Sequence, residues 1–170
     1  ARGLSHDTYL LFARLLGPQA ESRFASAEPL IEEYLDTRLP EETPHFETLV
    51  ALTEWMARRA LSNEAIVPGR TTVGDVRRFL YDALWTAGVT TWFQPDLRLQ
   101  RRGRANAGSR GFLAVAKETE VIERGDLVHL DFGISYMGMD SDWQKMAYVL
   151  RDGETDVPAG LKRALANTHA

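Results

Sequence analysis

Residues 125–150 read GDLVHLDFGISYMGMDSDWQKMAYVL, and the rest of the chain can be placed around them. The pattern predicts two strands, Leu127–Tyr136 and Met139–Leu150, joined by a tight turn at Met137-Gly138. Glycine at the second turn position suits the positive φ of a two-residue hairpin loop. If Tyr136 faces Met139, paired residue numbers sum to 275 and Asp131 faces Gln144. Side chains alternate along a strand, so Asp142 shares the face of Gln144 and Asp131. It becomes the diagonal neighbour of Asp131, roughly 7–8 Å away by ladder geometry. Two carboxylates aimed the same way at that spacing can share one cation or bridge two. The same parity places His129 and Asp140 on that face, so geometry alone does not choose the ligands. A two-stranded ribbon with one wet face also tolerates such Asp residues without binding metal. Val128, Leu130, Phe132 and Ile134 are expected to give Asp131 an apolar setting, in which a carboxylate must be neutralised, paired or metal-bound.

Composition narrows the class. At 170 residues the chain can bury one substantial core, as one or two domains. The net charge of −4 gives no basis for nucleic-acid binding. There is no cysteine, which excludes thiolate metal sites, a cysteine nucleophile and disulfides. No apolar run approaches the roughly 20 residues of a membrane-spanning helix, and a cytoplasmic location is the expectation. The sequence starts without an initiator Met and stops inside an amphipathic segment, Pro158–Ala170, so it is expected to be an excerpt.

Helices are predicted over residues 5–16, ending at Gly17-Pro18, and after Ser26, with Pro29 in the first turn. The clearest helix carries Phe46, Leu49, Val50, Thr53, Met56, Ala57, Ala60 and Leu61 on one face. Another is predicted to start at a capping-box-like Thr72 and Asp75 and to end at Gly88. Residues 89–99 suggest a strand interrupted at Pro95, and residues 111–115 a short strand. Residues 98–110 carry five arginines and are read as a solvated loop. Trp55 and Trp85, on helices, are read as packing residues rather than substrate contacts, whereas Trp92 and Phe93 are candidates for a substrate pocket.

Three stretches together resemble the pita-bread metallopeptidases, the family of aminopeptidase P (Xaa-Pro aminopeptidase), prolidase, methionine aminopeptidase and creatinase. They are IVPGRTTVGDVRRFLYDALWTAGV, VIERGDLVHLDFG and MGMDSDWQKMAYVLRDGE. The resemblance implies an α+β fold, a curved antiparallel sheet with helices on its outer face, of which residues 40–170 form the first half. Residues 1–39 resemble the tail of a creatinase-like N-terminal domain plus linker. Asp131 and Asp142 fall on the two aspartate ligand positions, eleven apart as in the family. His129 and Asp140 do not. Such enzymes hold two divalent ions on two Asp, one His and two Glu, with a bridging hydroxide as nucleophile. Manganese, cobalt, iron or zinc would all suit these ligands.

The implied function is therefore part of a dinuclear metallopeptidase acting on short peptides of the Xaa-Pro type. The His and both Glu ligands are expected beyond residue 170, along with any proton shuttle. The isolated chain is accordingly expected to be inactive. The loop before the Asp131 strand lacks the family's usual substrate-contacting His and offers Arg102, Asn106 and Arg110 instead. A peptide substrate is the expected partner, with no nucleic acid and no membrane. A homodimer is allowed, though a second copy adds no Glu ligand. Two other readings are a pita-bread peptide- or protein-binding module without catalysis, against which retention of both Asp residues argues, and a creatinase-like hydrolase of a non-peptide C–N bond.

Overall fold

The computed structural model describes residues 4–104 and 115–168. The chain divides into two compact units, Ala1–Thr43 and Pro44–Ala170.

In the first unit, α1 (His6–Leu16) is capped by Ser5, whose Oγ accepts from the Thr8 N–H at 3.3 Å. A single turn, α2 (Pro18–Glu21), follows, and then α3 (Glu28–Asp36). The N-cap of α3 is Ala27 rather than the expected Ser26, whose Oγ one residue earlier accepts from the Glu28 N–H at 3.1 Å. Leu15, Leu16, Leu30, Tyr34 and Leu35 are all exposed.

The second unit carries the core. Helix α4 (Thr43–Ala60) buries Leu49, Thr53, Met56, Ala57 and Ala60. Helix α5 (Val73–Ala87) starts in the predicted capping box. The Thr72 N–H donates to Asp75 at 2.8 Å and the Asp75 N–H donates to Thr72 Oγ1 at 3.1 Å. Donation from the Thr72 N–H, the Thr72 hydroxyl and Arg78 to its carboxylate pulls the pKa of Asp75 down to about 2. Trp55 and Trp85 lie outside the core, at 51% and 87% exposure. Trp55 instead lies beneath the Arg59 guanidinium, 4.3 Å from its ring centre.

Three antiparallel strands follow in the spatial order β1 (Asp96–Gln100), β2 (Leu127–Phe132), β5 (Trp143–Tyr148). The strand expected over 89–99 is only β1, beginning immediately after Pro95, which has no N–H to donate to a ladder. Leu97, Val128, Leu130 and Phe132 point into α4 and α5 and are fully buried. A second ribbon, β3 (Ser135–Tyr136) and β4 (Met139–Asp140), closes the hairpin. Met137 and Gly138 have φ of 52° and 78°, the two positive values of a type I′ turn.

The predicted register holds throughout. Tyr136 pairs with Met139, Asp131 with Gln144 and Leu127 with Tyr148. The two long strands are nevertheless not continuous, because each is interrupted around Gly133 and Ser141. Helix α6 (Ala159–Thr168) ends the described chain. The strand expected over 111–115 falls almost wholly outside the described residues, as do Asn106, Arg110 and His169.

Candidate metal site

Alternation leaves one face of the sheet open as a three-by-three array. Its in-register rows are Asp96–Asp131–Gln144, Arg98–His129–Met146 and Gln100–Leu127–Tyr148. Asp131 is half-buried in this face and Asp142, one residue before β5, is exposed beside it. The apolar residues expected around Asp131 lie on the opposite face. The side-chain period of two sends Val128, Leu130, Phe132 and Ile134 into the core. Its real neighbours are polar. Gln144 Nε2 donates to Asp131 Oδ2 at 3.2 Å, and His129 Nε2 lies 3.3 Å from Gln144 Oε1.

Burial raises the pKa of Asp131 above the ordinary carboxylate range, and the charges of Asp142 and Asp96 push it further. His129 and Arg98 oppose the rise. A cation shared by Asp131 and Asp142 would remove that repulsion. Two carboxylates are hard oxygen donors that fit a divalent ion, but they are only part of a coordination sphere. Among the described residues no three or more His, Cys, Asp or Glu side chains are arranged to hold one.

Asp96 was not legible as a member of this patch. Its Oδ2 takes a two-pronged bond from Arg98, with Nε at 2.9 Å and Nη2 at 2.6 Å. Its Oδ1 is buried without a hydrogen-bond partner among the described residues, and so is His129 Nδ1. The pairing of β1 with β2 across some thirty residues creates this neighbourhood, and no local spacing signals it.

The break in the hairpin fixes where Asp142 starts. Ser141 is buried and bonded on every side. Its N–H donates to the Ile134 carbonyl at 2.9 Å, and its Oγ accepts from the Ile134 N–H at 2.9 Å. The same Oγ lies 2.7 Å from the Thr53 hydroxyl on α4, and Trp92 Nε1 donates to the Ser141 carbonyl at 2.9 Å. Gly133 lies under this knot. A Cβ there would sit far inside contact distance of the Ser141 carbonyl oxygen and 2.7 Å from Trp92 Nε1. Gly133→Ala is therefore expected to cost about 1–3 kcal/mol and to weaken divalent-metal binding by shifting Asp142. Thermal unfolding and a metal titration check this, and a variant equal to wild type in both refutes it.

The remaining sequence candidates are dispersed. Trp92 is half-exposed, packed edge-to-face on Phe93 at 4.5 Å and bonded to the Asp142 segment. Arg102 is exposed on the turn after β1. Arg110 lies outside the described residues.

No family model and no curated protein matches this chain. Solved structures do. A histidine-to-alanine variant of Escherichia coli aminopeptidase P aligns over 88% of the chain with a TM-score of 0.64 and 18% identity. Another structure of that enzyme, zinc-substituted and in complex with product, aligns over 66% with a TM-score of 0.54 and 19% identity. X-Pro aminopeptidase from Thermotoga maritima aligns over 81%, with a TM-score of 0.61 and 16% identity. The chain spans 34%, 24% and 35% of these three structures respectively. It has the α+β fold of part of these enzymes.

Proposed function

We propose that this chain is part of a metal-dependent peptidase in which Asp131 and Asp142 are two ligands of a divalent metal pair. The observation that carries the reading is their placement. Both lie on the open face of a hairpin whose fold is that of aminopeptidase P, and the charge of Asp142 acts on Asp131. When bound, the metals would supply Lewis acidity toward a peptide carbonyl and an activated water. The chain's own contribution is to hold the two carboxylates. Gln144 orients Asp131 through its amide, and the Ser141 knot sets the start of β5 and hence Asp142. His129 and Arg98 temper the negative charge while the ions are absent. The substrate class is a short peptide, with proline beside the scissile bond as in the substrates that the structural neighbours' names imply.

Hydrolysis of Xaa-Pro peptides by the complete protein, with and without added manganese, cobalt or zinc, tests this. Metal-dependent turnover that disappears in Asp142→Ala is the expected result, with no turnover from the 170-residue chain alone. A fully metallated complete protein that hydrolyses no peptide overturns the reading. So does turnover that survives Asp142→Ala.

A further inference from the structure

The open face does not end at the carboxylates. Beyond its last row, Gln100–Leu127–Tyr148, lies a groove of about 660 Å³. One wall is the turn from Arg101 to Arg104. The other runs from Arg151 through Glu154 to Pro158 and Leu161. Its volume is in the range of small-molecule sites, and it is half open to solvent.

Its charges are not equivalent. Arg101 is bound by the buried Asp126, with Nε and Nη2 each 2.7 Å from a carboxylate oxygen, and Arg104 is ion-paired with Glu120. Arg102 and Arg151 make no ion pair among the described residues, although the charge of Arg151 acts on Glu154. The groove's remaining carboxylate, Glu154, accepts from the Arg151 N–H at 2.8 Å and from the Tyr148 hydroxyl. The groove therefore carries an excess of one positive charge in a chain whose net charge is −4. Arg151 is also seated by the backbone. Gly125 has φ of +87°, and a Cβ there would lie 2.5 Å from Arg151 Nε and 3.0 Å from its Nη2. The missing side chain is the space the guanidinium occupies.

We propose that this groove binds the C-terminal carboxylate of a peptide lying along the open face, with Arg102 and Arg151 as the anion's partners. Guanidinium forks suit a planar carboxylate, and the apolar floor of Leu127 and Tyr148 suits the last side chain. The direction and length of the peptide rest on the metallopeptidase reading. Leu127 and Asp131 are four residues apart on β2, about 13 Å at strand rise. An extended peptide covers that span in about four residues. The guanidiniums lie beyond Leu127, so a substrate cut beside Asp131 and Asp142 would carry at least about four residues on the leaving side, ending in a free carboxylate.

The test uses binding to the metal-free 170-residue chain in EDTA, so that its outcome does not depend on catalysis. Tetra-alanine with a free C-terminus and its C-terminal amide are titrated by calorimetry, with inorganic phosphate as competitor. The acid is expected to bind at least tenfold more tightly than the amide. The Arg102→Ala/Arg151→Ala variant should lose that preference, and the Lys/Lys variant should regain part of it. Circular dichroism confirms that each variant is folded. Equal binding of acid and amide overturns the proposal, as does a preference that survives the double Ala variant. Displacement by phosphate at the concentration of peptide that half-saturates the site would make it a general anion site and overturn the peptide assignment. If acid-selective binding is found but the complete protein hydrolyses nothing, the groove stands and the peptidase reading falls.

Discussion

Asp131→Asn is expected to abolish divalent-metal uptake by the complete protein while making the metal-free chain more stable than wild type at neutral pH. The two effects share one cause. Burial and the charges of Asp142 and Asp96 raise the pKa of Asp131, so its ionised form is disfavoured in the fold. Below the unfolded carboxylate value, about 3.9, both states are protonated and nothing is lost. As pH rises through the raised folded value, the native state must carry a charge the unfolded chain carries more easily. The penalty is then complete at pH 7. Asparagine removes the charge yet still accepts the hydrogen bond from Gln144. Its advantage in urea unfolding should therefore be present at pH 7 and fade as pH falls toward 3.9. Saturating metal should reverse the order, because only the wild type gains binding free energy in the native state. A variant less stable than wild type at pH 7 without metal would show that Asp131 serves the fold rather than a cation.

That residue also marks how far the sequence could be read. The turn at Met137-Gly138 and the period of two were sufficient to place Asp131 opposite Gln144, and the capping box at Thr72 and Asp75 located α5. These are local signals, each complete within a few residues. The setting of Asp131 was not local. Its apolar sequence neighbours face the other way, and two of its charged neighbours, Asp96 and Arg98, come from β1, which precedes it by about thirty residues. The interruption of the hairpin was equally hidden. Ser141 exchanges hydrogen bonds with Thr53, 88 residues earlier, and with Trp92, 49 residues earlier, and neither partner is marked by spacing or propensity. Trp92 has the character of a pocket residue in the sequence, but its indole is committed to the backbone that leads into Asp142. The exposure of Trp85 has the same origin: helical periodicity identifies a helix but does not say which flank of its apolar stripe the sheet will cover.

The largest loss of stability is expected at Arg101, and it should exceed the loss at its own partner. Asp126 is wholly buried, while the Arg101 side chain is one-third exposed. The carboxylate accepts both guanidinium bonds and the Glu123 N–H at 2.8 Å, and Arg101 Nη2 also reaches the Val121 carbonyl at 3.0 Å. Arg101→Ala leaves a buried anion with one remaining donor, the case in which breaking an ion pair costs about 3–5 kcal/mol. Asp126→Ala removes the buried charge itself and leaves a guanidinium that water can reach, so its cost should be smaller, on the order of 2 kcal/mol for the abandoned donors. The double variant should be more stable than Arg101→Ala alone, since nothing charged then remains buried. Urea unfolding of the two single variants and the double variant gives the order directly. An Asp126→Ala chain less stable than Arg101→Ala would mean that the packing and backbone bonds of Asp126, rather than its charge, dominate at this end of the sheet. The same series bears on the groove, because Arg101 anchors the turn that carries Arg102. Only a change confined to Arg102 and Arg151 can therefore separate recognition of an anion from the integrity of the wall that presents it.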